Sequence, residues 1–140
     1  MRIEEIAVKD YEQLIALWRA SGGVGLHADC DSKERIALYL QRNPGLSFAA
    51  WTGDEIVGAV LCGHDGRRGY MHHLAVAKSH SANGLGRALV EKAMSKLRMI
   101  GIRRCNIFVF DDNIAAHGFW THIGWSERND IKVMFSDIVF

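Results

Sequence analysis

The period of the apolar positions changes several times along the chain, and each change marks an element. Met1 to Val8 alternates loosely, with Ile3 and Ile6 set among charges, and reads as an opening strand. Asp10 offers an N-cap to a helix carrying Leu14, Ile15, Leu17 and Trp18. The run Ser21-Gly22-Gly23-Val24-Gly25 is too glycine-rich for an element interior and predicts a flexible loop. Asp31 or Ser32 caps a second helix through about Arg42, with Ile36, Leu38, Tyr39 and Leu40 as its apolar surface. Leu46 to Trp51 and Glu55 to Gly63 then flank Thr52-Gly53-Asp54, a hairpin signal, and Tyr70 to Ala77 follows a second turn as a third strand. In that strand, alternation assigns Tyr70, His72, Leu74 and Val76 to one face and Met71, His73, Ala75 and Ala77 to the other.

The second half holds the clearest helix. Leu85, Leu89, Ala93 and Leu97 recur every four residues between Gly84 and Ile100, and Gly101 stands in the C′ position that glycine favours. Cys105 to Phe110 is strongly β-prone, and Asn113 to Ile123 is a short helix stopped by Gly124. Trp125 to Phe140 reads as one or two closing strands, with Lys132 to Val139 the better formed. The order βααβββαβαβ is α/β, with a mostly antiparallel front and a parallel crossover near the middle.

Composition adds bounds. A chain of 140 residues is the usual size of one domain, and no proline- or serine-rich linker divides 1–140. No apolar run reaches the length of a membrane span, and the first residues lack the pattern of a signal peptide, so a cytoplasmic protein is expected. Three widely spaced cysteines read as reduced thiols, although Cys62, at the end of a strand near polar residues, is a conceivable nucleophile. Net charge is only +1, yet between Arg67 and Phe110 nine lysines and arginines face Glu91 alone. A local positive region in a near-neutral chain suits a small anionic ligand better than a nucleic acid, for which no module is present.

The place for such an anion is the segment Leu74 to Leu89. A strand ends, a polar loop turns, and Gly84 and Gly86 open a long helix. The first N–H groups of a helix have no intrahelical acceptor and, with the helix dipole, form a phosphate site. Glycine keeps Cβ atoms away from those donors, and Arg87 adds charge. Neither the dinucleotide GxGxxG nor the P-loop GxxxxGK[ST] is present.

The strand Leu74-Ala75-Val76 followed by Ser81-Ala82-Asn83-Gly84-Leu85-Gly86 resembles the acetyl-CoA signature of the GNAT N-acetyltransferases, (Gln/Arg)-x-x-Gly-x-(Gly/Ala). Asn113, Ala116, Phe119, Trp120, Gly124 and Trp125 match the spacing of the same family's second pattern, Asn-x-x-Ala-x-x-Phe-Tyr-x-x-x-Gly-Phe. The resemblance covers essentially the whole chain. It implies a mixed, mostly antiparallel sheet flanked by helices, acetyl-CoA as cosubstrate, no metal, and a primary amine as acceptor. It also implies that the main chain of Leu74, Ala75 and Val76 pairs with the pantetheine, that Ala82, Asn83, Gly84, Leu85, Gly86 and Arg87 hold the pyrophosphate, and that Asn113 contacts the pantetheine arm. Related proteins are often dimers, and Ile138-Val139-Phe140 suits either an interface or a core strand.

Three positions depart from the family. Ser81 shortens a phosphate-contacting side chain. Trp120 lies in the cofactor region where the family places the tyrosine that protonates the leaving thiolate, and an indole N–H is no acid. Phe108 stands where ribosomal-protein alanine acetyltransferases carry a glutamate base. A histidine can take the amine proton instead. His72 is similar in position to a catalytic histidine of serotonin-type arylalkylamine acetyltransferases, with Tyr70 or His73 assisting. Joint metal binding by His72 and His73 is disfavoured, since neighbours on a strand point to opposite faces. His117 and His122 are the alternative proton donors. The competing reading is a catalytically inactive GNAT-like module that binds CoA as a sensor or within a partner complex, a reading fed by Ser81 and Trp120.

Overall fold

A computed structural model describes residues 1–140. The chain runs β1 (Arg2–Glu5), α1 (Tyr11–Ala20), α2 (Ala28–Asp31), α3 (Lys33–Arg42), β2 (Phe48–Thr52), β3 (Glu55–His64), β4 (Gly69–Val76), α4 (Leu85–Met99), β5 (Cys105–Ile107) and α5 (Ile114–His122). The strands lie side by side in chain order. The first four pair antiparallel, and β5 pairs parallel with β4 after the α4 crossover. This is the expected α/β arrangement.

β3 explains why both faces must be covered. Every residue between its end residues is buried, a near-continuous apolar run that only a central, two-sided strand can satisfy. On one face Val57, Val60 and Cys62 pack with Met71 and the Leu85–Leu89–Ala93–Leu97 stripe of α4. On the other, Ala59 and Leu61 pack with Leu14, Ile15 and Trp18 of α1 and Ile36 of α3. Each of these large aliphatic side chains contributes roughly 1.5–3 kcal/mol by leaving water.

Helix ends follow their local chemistry. Ser32 accepts the Arg35 amide at 3.2 Å as the N-cap of α3, and Asn113 accepts the Ala116 amide at 3.1 Å as the N-cap of α5. Gly101 and Gly124, at φ of +84° and +98°, close α4 and α5 in the left-handed conformation that a Cβ resists. Asp10 precedes α1, but its carboxylate accepts the Ala7 amide at 2.9 Å rather than capping the helix.

Two strand expectations fail, and both failures involve partners. The run Cys105–Phe110 is extended only to Ile107 as a strand, because its ladder with β4 stops there. Trp125 to Phe140 forms no closing strand at all. Beyond Trp125 no backbone group joins a backbone hydrogen bond, and Met134, Phe135 and Val139 are each about 90 % exposed. A β-prone sequence becomes a strand only where a neighbouring edge receives it.

Candidate active site

The site begins where β4 loses its second neighbour. Gly69, Tyr70 and Met71 pair with Cys105, Asn106 and Ile107, after which β5 turns away and His72–Val76 keep only β3 beside them. A groove of about 580 Å³ opens at this parting, walled by β4 on one side and by Phe108, Phe110 and α5 on the other.

One end of the groove reaches the start of α4. Gly84 adopts φ +76° as the N-cap, and Ala88 donates the first helical hydrogen bond back to its carbonyl. No N–H from Ala82 to Arg87 meets a backbone acceptor, so a row of donors faces outward where the helix dipole is positive. The two glycines serve different ends. Nothing stands within 4 Å of a Cβ placed on Gly84, whose need is its left-handed φ. A Cβ on Gly86 would come within 3.2 Å of the Phe119 ring, so that glycine lets α4 and α5 approach. The Arg87 guanidinium is held 2.9 Å from Glu91, on the exposed side of the helix.

The other end carries both histidines of β4. Two steps on β3, from Leu61 to Ala59, match three on β4, from His72 to Ala75. This bulge places His73 at φ +54°, a left-handed conformation that non-glycine residues rarely take. It also corrects the simple alternation read from sequence. Met71 packs in the α4 cluster while Ala75, four residues on, packs in the α1 cluster. His72 and His73 consequently lie on the same side of the sheet. The His72 ring sits 6.2 Å from Tyr39 of α3, and the His73 ring sits 5.1 Å from Trp18 of α1.

His73 Nε2 lies 2.7 Å from Asp31 Oδ1. An ionised carboxylate only accepts, so Nε2 carries the proton and Nδ1 is the free ring nitrogen. Asp31 is itself fixed, its Oδ2 accepting the His27 amide at 2.8 Å and its carbonyl accepting the Tyr11 hydroxyl at 2.8 Å. The one-turn helix α2, which sequence periodicity did not reveal, thus delivers a carboxylate to β4. Burial, and then the neighbouring His73, hold the His72 imidazole below the usual histidine range. Two buried donors in the same neighbourhood, Trp18 Nε1 and Tyr39 Oη, have no protein partner.

The remaining sequence-predicted residues divide. Leu74, Val76 and Asn113 line the groove, whereas the Ala75 side chain is buried against α1. Trp120 is 7 % exposed, its ring tilted against Trp125 at 4.5 Å and edge-to-face with Phe119 at 5.2 Å, and it lines the groove. Tyr70 stands one residue outside the lining, 6.3 Å from Phe108, which in turn lies 6.3 Å from His72. His117 Nε2 donates to the Phe110 carbonyl at 3.1 Å. Cys62 is fully buried, and the adjacent Cys105 thiol together with burial pushes its own thiol far above the ordinary range, which leaves it inert as a nucleophile. The glycine loop has a role that its composition only hinted at. A Cβ on Gly25 would lie 2.8 Å from the Phe110 ring, and one on Gly23 would collide with the Asn113 amide, so this loop closes tightly over the groove.

Known proteins share the family and the fold. Residues 3–125 match the acetyltransferase (GNAT) family. An acetyltransferase of Yersinia pestis strain Pestoides F is 29% identical over 138 residues, covering 95% of this chain and 93% of the relative. The acetyltransferase plu1384 of Photorhabdus laumondii is 28% identical over 136 residues, covering 97% and 94%. Among solved structures, the PaiA N-acetyltransferase of Thermoplasma acidophilum in complex with coenzyme A superposes with a TM-score of 0.79 at 18% identity, over 89% of each chain. The apo aminoglycoside 6'-N-acetyltransferase AAC(6')-Ig of Acinetobacter haemolyticus superposes with a TM-score of 0.80 at 14% identity, over 100% of each. With its parted strands, its open helix start and a match across nearly its whole length, the chain belongs to the GNAT acetyltransferase family.

Proposed function

We propose that the protein transfers the acetyl group of acetyl-CoA directly to a primary amine within a ternary complex. The observation that carries this reading is a single groove running from the unpaired N–H groups at the start of α4 to the histidine pair of β4. Backbone donors from Ala82 to Arg87 would hold the pyrophosphate. The open edge of Leu74–Val76 would pair with the pantetheine amides, and Asn113, whose Oδ1 already caps α5, would present its amide to the same arm.

An amine must lose its proton before it attacks a thioester. His72 is suited to take it, because burial keeps its imidazole neutral and so free to accept a proton near pH 7. Asp31 orients His73, whose free Nδ1 would steady the amine or a water between it and His72. Tyr70 supports Phe108, the ring that flanks His72, and carries no proton in this scheme. Trp120 sits among aromatic rings and cannot act as an acid, so the departing thiolate takes its proton from water. Position and deprotonation then account for most of the acceleration, and the N–H groups of β4 would stabilise the oxyanion.

Titration calorimetry with acetyl-CoA, CoA and ATP tests the first half of this reading. Binding of both coenzyme forms but not ATP, lost in Gly86→Glu, is the expected result. Folded protein that binds neither form would overturn it. An amine panel assayed with wild type and His72→Ala tests the second half. Tight binding without transfer to any amine would favour a CoA-binding module instead.

A further inference from the structure

The lining of the groove holds no aspartate, glutamate, lysine or arginine. Its polar side chains are His72, His73, Asn113 and the buried Trp120 indole, of which the acetyl-transfer reading gives Asn113 to the coenzyme. That leaves the histidines as the polar groups of the acceptor end, beside Val24, Phe108 and Phe110. Phe108 and Phe110 are 61 % and 56 % exposed. The Phe108 ring lies 6.3 Å from His72 and the Tyr39 ring 6.2 Å from it, so aromatic rings flank the base. Uncovered rings beside a site are surface that an apolar ligand body can bury.

The carboxylate tied to this end is already engaged. Asp31 Oδ1 lies 2.7 Å from His73 Nε2, and Oδ2 accepts the His27 amide at 2.8 Å. Its side chain is nine-tenths buried, and it is His73, not Asp31, that lines the groove. A second ammonium on the acceptor would therefore find no free anion, and a carboxylate would find no lysine or arginine. Taking an unpaired charge out of water is strongly unfavourable. A single ammonium escapes this cost. Phenyl faces attract it on entry, and the amide it becomes is neutral.

Given the acetyl-transfer reading, on which this rests, we propose that the acceptor is a small monoamine with an uncharged, apolar body. Its nitrogen meets His72, and its body lies against Val24, Phe108 and Phe110. Polyamines, amino acids and peptide lysines are excluded, the first two by charge. The third is excluded by the loop Gly22–Gly25, which closes so tightly that a Cβ on Gly25 would lie 2.8 Å from the Phe110 ring, leaving no trench for a peptide chain. In the reaction the C–N bond forms as the thioester C–S bond breaks. The ammonium gives up two protons, one through His72 to solvent and one that reaches the coenzyme sulfur by way of water.

Matched amines test the proposal, titrated by calorimetry into the full chain with and without CoA and assayed in parallel for acetylation. Hexylamine is set against hexanediamine, which adds only a second ammonium, and phenethylamine against phenylalanine, which adds only a carboxylate. Nα-acetyl-lysine amide stands for a peptide lysine. The two apolar monoamines are expected to bind roughly tenfold or more tightly than their charged counterparts and the lysine amide. Phe108→Ala should weaken both monoamines roughly tenfold. Phe108→Asp, which supplies the missing anion, should close or reverse the gap between hexylamine and hexanediamine, with circular dichroism checking the fold. Equal or tighter binding of hexanediamine, phenylalanine or the lysine amide would overturn the proposal, as would folded protein that binds no monoamine or binds them unchanged in Phe108→Ala. Monoamines that bind with the expected preference but are never acetylated would leave the pocket as described and sink the acetyl-transfer reading instead.

Discussion

The two halves of β4 differ in their neighbours and, with that, in their function. Gly69–Met71 has a strand on each side and a regular register, and Met71 at its end is fully buried beneath α4. His72–Val76 has one neighbour, a bulge and a left-handed residue, and it forms the wall of the groove. The backbone is continuous and the composition hardly changes, so what separates scaffold from site is the point at which β5 departs. A parallel ladder stops, backbone groups lose their partners, and those groups become available to a ligand.

Substitutions in the two halves should therefore fail in different assays. The largest effect is expected at His72. Its replacement by alanine should lower kcat by roughly 10²–10⁴-fold while leaving acetyl-CoA affinity nearly intact. An equal loss of binding in calorimetry would deny the division of labour along the groove. Next comes Met71→Ala in the paired half, expected to cost about 2–5 kcal/mol in urea unfolding because the cavity beneath α4 cannot refill. Preserved activity in the fraction that stays folded would sharpen the contrast.

The bulge itself is tested by His73. Valine at this position should destabilise by roughly 1–3 kcal/mol, since a β-branched side chain resists φ > 0, whereas asparagine should cost visibly less. Equal costs would mean that the backbone there relaxes. The smallest effect is expected in pH dependence. With the His72 pKa lowered in the folded state, the unfolded chain binds more protons at mildly acidic pH, so this histidine's contribution is intact near neutrality and is lost as pH falls through and below the ordinary histidine range. His72→Gln should flatten that part of a stability–pH profile, and the acid limb of the rate profile should lie below the ordinary histidine range. An unshifted limb would remove His72 as the base.

What was legible in the sequence was whatever short-range chemistry decides. The four-residue stripe of α4, the glycines at 101 and 124, the short helix that begins at Asn113 and the open start of α4 each depend on residues within a turn or two, and each stands where the pattern placed it. The bulge at His73 was invisible because it arises from a mismatch between two strands, and His72-His73-Leu74 carries no local mark of it. Asp31 is legible only as a candidate helix cap, because its bond to His73 joins residues 42 apart in sequence. Tight closure by the Gly22–Gly25 loop likewise depends on Phe110 and Asn113, far along the chain. The closing strands were misplaced for the complementary reason: Lys132–Val139 has the residues of a strand but pairs with no edge of the sheet.

Sheet order has a consequence for how this fold is reached. Because the strands lie in chain order, β2, β3 and β4 join through short connections, while β1 must wait for β2 and β5 must wait for the whole of α4. Assembly is expected to start at β3 and spread outward, so amide exchange should be slowest in β3 and fastest at the two edges. The ladder that defines the groove is then the last to close. A partly folded chain can already possess both hydrophobic layers and still have nowhere to bind a ligand, so recovery of coenzyme binding during refolding should lag behind recovery of the core.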